Sequence, residues 1–311
     1  MKIIFWIKGN RGVSCLKKVI ENGYTIDLLV LQAQAGKQWY QQANKLAQEY
    51  NIKTAEPEEP NSPETEKFLE KSNPDLFVLA GYGKILRQNI IKIPKIMCIN
   101  LHGGKLPEYR GSSPMNWVLI RGQQSFGISI IKVDAGVDTG DVLLDRSFPI
   151  DENSNIRDLH AKADESFPEM LVEVLNMLKD GSYKLRSQDN EKASYFPLRF
   201  PEDGLIFWDM FTAEEIHNRI RALTQPYPCA YSYFKGRKVK LLSSVLRSQD
   251  FFGEPGRVYL KKEGKLLVCA KDKCLWIAEA VFEDTGDSIF GSISRYERFA
   301  TVMAVAEQFY Q

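Results

Sequence analysis

Two rhythms of apolar and polar residues divide this chain. Over its first half, short unbroken apolar runs recur at residues 2–7, 25–32, 75–80, 97–102 and 126–133. A strand buried on both faces needs no polar alternation, so these runs read as strands of a mostly parallel sheet with helices covering it. Helices are predicted from the glycine turn at 9–12 to about residue 22, and over 36–50, 113–121 and 154–179. The Pro- and Glu-rich residues 56–66 read as a surface loop leading into a further short helix. Residues 141–148 form a strand beside 126–133. Strands and helices alternating in this way predict an α/β domain with a Rossmann-like, doubly wound sheet.

Beyond residue 188 the rhythm changes. Residues 189–204 are polar and proline-bearing and read as a linker. Residues 212–223 read as a helix, with Thr212 as N-cap and Glu215 three positions on, as in a capping box. Short β segments follow at 230–234, 238–244, 256–260, 265–270 and 274–280, separated by turn residues. They predict a small OB-like β-barrel, with a closing helix over 296–311. The expected domains are therefore 1–188, a linker at 189–204, and 205–311.

Composition narrows the picture. With 44% apolar residues among 311, the chain can bury two cores. Its 41 basic and 40 acidic residues leave a net charge of +1, so no whole-molecule field favours a nucleic-acid partner, and none is expected. Apolar runs stay well short of the roughly 18 residues of a membrane span, so no membrane partner is expected either. The N-terminal run is cut by Lys8 with no small-residue cleavage site after it, so it reads as a first strand. Five scattered cysteines without a Cys-x-x-Cys spacing predict reduced thiols in a cytoplasmic protein. Oligomeric state is not fixed by the sequence, which is compatible with a homodimer.

The chemistry concentrates between residues 97 and 141. Asn100 and His102 stand two apart at the end of an apolar strand, so their side chains leave one face. Gly103, Gly104 and Pro107 then open a loop, the place where an open parallel sheet puts its ligand. The glycine-rich acidic turn from Asp134 to Asp141 supplies a carboxylate, Asp138. An amide, an imidazole and a carboxylate suit transfer of a one-carbon acyl unit to an amine. A histidine carries protons near neutral pH, and an amide N–H stabilises a developing oxyanion. Two glycine turns are open to either of two readings. The turn at Gly9, Asn10 and Arg11 can receive a phosphate at a helix start or be a plain turn, since the full Gly-x-Gly-x-x-Gly is absent. The run from Gly81 through Tyr82, Gly83, Lys84, Ile85 and Leu86 can hold a flat heterocycle or merely join a strand to a helix. His160 and His217 lie in helical patterns with no glycine loop beside them. No metal-ligand spacing occurs, so no metal is expected, and no serine or cysteine has a histidine placed to activate it.

The segments Asn100-Leu101-His102, Leu106-Pro107, Tyr109-Arg110-Gly111 and Val137-Asp138-Thr139-Gly140 resemble the 10-formyltetrahydrofolate-dependent formyltransferases. That family includes methionyl-tRNA, glycinamide ribonucleotide and sugar N-formyltransferases. The resemblance implies 10-formyltetrahydrofolate as co-substrate and a catalytic trio of Asn100, His102 and Asp138. It implies a pterin held against Lys84, Ile85 and Leu86 and against Asp134, Ala135, Gly136 and Val137. Gly9, Asn10, Arg11, Tyr82, Gly103, Tyr109 and Arg110 are the candidates for substrate contact, Tyr109 and Arg110 for acceptor or diphosphate. Residues 193–197, 201–204, 213–218 and 221–228, with Trp208, resemble the C-terminal module of the tRNA and sugar enzymes, a module that the purine enzyme lacks. Pro114-Met115-Asn116-Trp117-Val118-Leu119 resembles the sugar enzymes more. The tRNA enzymes usually carry a long basic loop after the second strand, whereas residues 32–37 pass almost at once into a helix. The cluster Lys235-Gly236-Arg237-Lys238-Val239-Lys240 is the one candidate for phosphates. Lys105 departs from the apolar residue usual before Leu-Pro. The implied acceptor is a nucleotide-linked amino sugar, with methionyl-tRNA as the alternative.

Overall fold

The computed structural model describes residues 1–34 and 36–309. In chain order the first elements are β1 (Ile3–Ile7), α1 (Gly9–Glu21), β2 (Ile26–Leu31), α2 (Gln38–Glu49), β3 (Lys53–Ala55), α3 (Pro63–Ser72), β4 (Leu76–Ala80), α4 (Gln88–Ile91) and β5 (Met97–His102). Then come β6 (Arg110–Gly111), α5 (Pro114–Ile120), β7 (Ser125–Lys132), β8 (Val142–Pro149), α6 (Ile156–Asp180) and β9 (Tyr195–Phe196). The chain closes with α7 (Ala213–Leu223), β10 (Ala230–Phe234), β11 (Arg237–Val245), β12 (Val258–Lys262), β13 (Lys265–Cys269), β14 (Cys274–Phe282) and α8 (Val302–Phe309).

These elements fall into two compact units. Met1–Gly111, Gly127–Phe148 and Ala161–Phe196 form the first; Ser112–Phe126, Pro149–His160 and the chain from Pro197 onward form the second. The boundaries differ from those read in the sequence. Residues up to Phe196 stay with the first unit because β9 pairs with β6, Arg110 opposite Tyr195 and Gly111 opposite Phe196. The segment carrying α5 belongs to the second unit because α5 packs on α7, where the Asn116 amide donates to the Ala222 carbonyl at 2.8 Å.

The first unit is built on a seven-stranded sheet in the order β3-β2-β1-β4-β5-β7-β8. Neighbours from β3 to β5 are parallel, and β7 runs antiparallel to β5. The unbroken apolar runs are explained by burial: all five residues of β1 are fully buried, and so is nearly all of β4. On one face Trp6, Val30, Leu69, Phe77, Leu86 and Ile90 form a shared core. Helix α1 packs on β1 and β4. Gly12 permits that approach, since a Cβ there would lie 2.7 Å from Ile7 Cβ and 2.9 Å from the Ala80 carbonyl. Ser62 caps α3 by accepting from the Thr65 amide, with Pro63 at the first helical position.

The second unit holds a five-stranded antiparallel sheet in the order β10-β11-β14-β13-β12, the β domain that the short segments predict. Trp208 is buried in its core, stacked on Phe299 at 5.2 Å, with the indole N–H donating to Ser232 Oγ at 2.9 Å. The capping box on α7 is present as read, Thr212 and Glu215 exchanging bonds. The final helix is shorter than expected within the described residues. Residues 296–300 are held instead by backbone bonds from Tyr296, Phe299 and Ala300 to Val258, Gly256 and Tyr233; residues 310 and 311 lie outside the described part. Cys269 and Cys274 are set opposite each other by the register of β13 and β14. No helix among the described residues is long and apolar enough to cross a membrane.

Candidate active site

Asn100 and His102 end β5, paired through Asn100 with Leu79 of β4 and through His102 with Ser129 of β7. Their spacing of two puts both side chains on one face, as the sequence requires. The His102 ring is buried, only 5% exposed. Its Nε2 lies 2.6 Å from the Tyr109 backbone carbonyl, and its Nδ1 lies 3.5 Å from Asp138 Oδ2. A carbonyl accepts and cannot donate, so Nε2 carries the hydrogen and the lone pair of the neutral ring sits on Nδ1. The nitrogen free to take a proton is thus the one facing a carboxylate. Asp138 is itself fixed: Oδ2 accepts from the Gly111 amide at 2.9 Å, and its backbone is left-handed, with φ +53°. The Asn100 amide makes no hydrogen bond to the described protein and is half-buried, available to a bound group.

The acidic loop is laced from within. Asp134 Oδ1 accepts from the Gly136 amide at 3.1 Å and from the Thr139 hydroxyl at 2.5 Å. Gly140 leaves the space that the Lys132 carbonyl occupies. Gln188 Nε2 donates to the carbonyls of Asp138 and Gly140 at 2.9 and 2.6 Å. Asp134, Ala135, Gly136 and Val137 are exposed, so the loop presents an open edge. The second expected pterin segment is tied down by a residue that sequence reading missed. Asn61 donates to the Ile85 carbonyl at 2.9 Å and accepts from the Arg87 amide at 2.7 Å, while the Lys84 ammonium donates to the Glu58 carbonyl. Leu86 points into the core and Ile85 is 79% exposed.

Several expected substrate contacts are placed otherwise. Arg110 is 1% exposed, and its nitrogens donate to Gln188 Oε1, the Tyr195 hydroxyl and Asn190 Oδ1 at 3.0, 2.7 and 2.8 Å. Its guanidinium is caged and offers no free face to a diphosphate. Tyr109 stacks on Phe196 at 5.0 Å and reaches the site through its carbonyl instead. Arg11 binds Asp164 at 2.6 Å and lies over Phe167. That leaves Gly9 and Asn10 at the start of α1 without the cationic help expected from Arg11. Tyr82 packs edge-on against Trp6, rings 5.1 Å apart; its hydroxyl and the Trp6 Nε1 are both buried without a partner. Burial pushes the Tyr82 phenol up to about 12. Gly103 follows His102 at the loop's start and is half-buried. Gln188 and Asn190 fall in and beside the stretch read as linker, where nothing distinguishes a buttress from a spacer. Among the described residues no group of three or more His, Cys, Asp or Glu is arranged for a metal.

Comparison with known proteins gives two family matches, formyl transferase over residues 1–175 and the formyl transferase C-terminal domain over residues 200–286. A methionyl-tRNA formyltransferase of Caldanaerobacter subterraneus subsp. tengcongensis is 36% identical over 287 residues, covering 90% of this chain and 91% of its own. Among solved structures, the sugar 3N-formyl transferase WlaRD, crystallised with dTDP and 5-N-formyl-THF, superposes with a TM-score of 0.69 at 22% identity over 92% of this chain and 98% of its own. A methionyl-tRNA formyltransferase from Clostridium thermocellum superposes with a TM-score of 0.57 at 21% identity over 82% of this chain and 97% of its own.

Proposed function

The chain belongs to the formyl transferase family, and we propose that it moves a formyl group from 10-formyltetrahydrofolate to the amine of a nucleotide-linked amino sugar. The amine nitrogen attacks the formyl carbon while Asn100 donates to the oxygen of the tetrahedral intermediate. A free α-amine has a pKa of about 8, so most of it is protonated at neutral pH and must lose a proton to react. With that proton lost to solvent, the attacking nitrogen sheds a second one as it bonds the formyl carbon. His102 takes this second proton at Nδ1, with the Asp138 carboxylate 3.5 Å away to stabilise the imidazolium. The proton then passes to N10 of the tetrahydrofolate as the bond from N10 to the formyl carbon breaks. The pterin lies along Lys84–Leu86, held by Asn61, and Asp134–Val137, held by the bonds that Asp134 accepts from Gly136 and Thr139.

One observation carries the choice of a small acceptor over a nucleic acid. The cations of the basic hairpin are all engaged by carboxylates: Lys235 by Glu297 at 2.6 Å, Arg237 by Asp284 at 2.8 Å, and Lys238 and Lys240 sharing Glu283 at 3.1 and 3.3 Å, which leaves one net positive charge among the four. Binding a polyanion depends on free cations that displace its counterions. Residues 32–37 add only Lys37. The second reading, methionyl-tRNA, is favoured by the 36% identical relative. It is favoured too by Arg257, Lys261, Arg295 and Arg298, which donate to backbone carbonyls rather than acids beside the exposed Tyr296. Incubation with 10-formyltetrahydrofolate and either initiator methionyl-tRNA or a panel of aminodeoxyhexose nucleotides decides between them. Formylation of the sugars alone is expected; formylation of the tRNA alone overturns the sugar reading.

A further inference from the structure

The carboxyl ends of β2 and β1 carry two donors that the reaction above does not use. These strands run parallel to β4 and β5, with Trp6 opposite Val30 and Leu79, and Leu79 opposite Asn100. Continuing that register by two residues sets Gln32, Lys8, Gly81 and His102 in one row along the carboxyl edge of the sheet. Lys8 is still extended there, φ −149° and ψ 137°, and the Gln32 backbone N–H donates to the Ile7 carbonyl at 3.2 Å. The chain beyond β4 turns back over this row. Gln32 Oε1 accepts from the Gly83 amide at 2.8 Å, which leaves Nε2 as the uncommitted end of that side chain. A Cβ on Gly83 would stand 3.4 Å from Lys8 Nζ and 3.6 Å from Gln32 Nε2, so an ammonium and an amide donor converge on one space that glycine keeps open. Lys8 Nζ has no ion pair or hydrogen bond among the described residues. Both residues are partly exposed, and neither Nζ nor Nε2 is enclosed. The row also crosses the gap between β1 and β4, where the strand order reverses and an open parallel sheet takes its ligand.

We propose that Lys8 and Gln32 hold the diphosphate of the acceptor, an assignment that rests on the nucleotide-linked acceptor read above. Lys8 supplies an uncompensated positive charge and Gln32 a directed N–H. The start of α1 adds to their field: Lys8 is its N-cap residue, no side chain caps it, and its first turn holds no acid. Lys8 is thus the cation that Arg11, bound to Asp164, does not provide. Spacing then selects the group. Lys8 and His102 stand two strands apart, about 10 Å at the usual strand separation. One pyranose ring with its glycosidic oxygen, together with the reach of the two side chains, spans that interval between an amine at His102 and a phosphate at Lys8. Gly81, in the row between them, has no side chain to stand in the way. A rigid ring fixes the anion at that distance, whereas the glutamyl carboxylates of the folate hang on a flexible tail.

Calorimetric titration of the full chain with inorganic pyrophosphate and with 5-formyltetrahydrofolate tests this, beside turnover on the aminodeoxyhexose nucleotides. Lys8→Met keeps the aliphatic stem and breaks no side-chain bond among the described residues, so the fold survives it. It should weaken pyrophosphate roughly tenfold or more and leave 5-formyltetrahydrofolate unchanged, and Gln32→Leu should weaken pyrophosphate roughly fivefold. No pyrophosphate binding to the unaltered chain, or binding indifferent to Lys8→Met, would overturn the assignment. A loss that falls on 5-formyltetrahydrofolate instead would overturn it too, and would give the site to the folate tail. Its failure is separable from that of the acceptor reading. Pyrophosphate binding lost in Lys8→Met, with no amino-sugar nucleotide formylated by the unaltered chain, sinks the acceptor and leaves the anion site. Formylation of such a nucleotide with the same KM before and after Lys8→Met sinks the anion site and leaves the acceptor.

Discussion

His102 is oriented by a backbone carbonyl and opposed by a carboxylate, and that pairing leaves Nδ1 as the nitrogen to take the proton in the proposed reaction. Replacing His102 by Asn should lower kcat/KM by about 10²–10⁴-fold, with the thermal midpoint little changed; undiminished turnover would remove it from the mechanism. Arg110 should behave differently. Arg110→Met leaves Gln188, Asn190 and Tyr195 without their donor, so a loss of about 2–4 kcal/mol in denaturant unfolding is expected. A variant of unchanged stability with only a raised acceptor KM would restore the diphosphate role. That Asn100 and His102 share a face was legible because a two-residue spacing on a strand is a local signal. The cage around Arg110 was not, since its partners lie 78 to 85 residues later in the chain. A guanidinium beside a glycine loop reads the same in sequence whether it faces solvent or is enclosed. Tyr109 was legible as a position and not as a role, because the group it offers is one that every residue carries.

At the scale of elements, apolar runs identified the strands well because burial on both faces leaves no alternation to confuse with a loop. Helix α5 was legible as a helix but not as part of the second unit, since only the Asn116–Ala222 bond and its packing on α7 reveal that. The Cys269–Cys274 pairing likewise depends on strand register, which a five-residue spacing does not disclose. Two elements invite tests. Thr212→Ala removes the cap of α7 and should cost about 1 kcal/mol by thermal unfolding. Gln188→Ala frees the Asp138 and Gly140 carbonyls and should lower kcat/KM roughly tenfold, mainly through the folate KM, because it loosens the loop without touching His102. An unchanged folate KM would reduce Gln188 to a spacer.

For the molecule as a whole, pH enters through His217. Its ring is 4% exposed, and burial pushes the imidazole below its ordinary value of 6.5. The unfolded chain therefore takes up this proton at a higher pH than the folded one does. His217 contributes its full share of stability above the unfolded value, and loses it as pH falls from there through the folded value. Melting midpoints measured from pH 8 to 5 should fall on the acid side, and His217→Gln should flatten that fall; an unaltered slope would assign it to other groups.

The contact that selects the His102 tautomer belongs to the main chain at position 109. No codon change there deletes a carbonyl, so the clamp is inherited with the bend of the loop, while the Tyr109 ring answers separately for its stack on Phe196. Side-chain substitution leaves that acceptor in place, and backbone ester substitution at that linkage is the chemistry that would expose its worth.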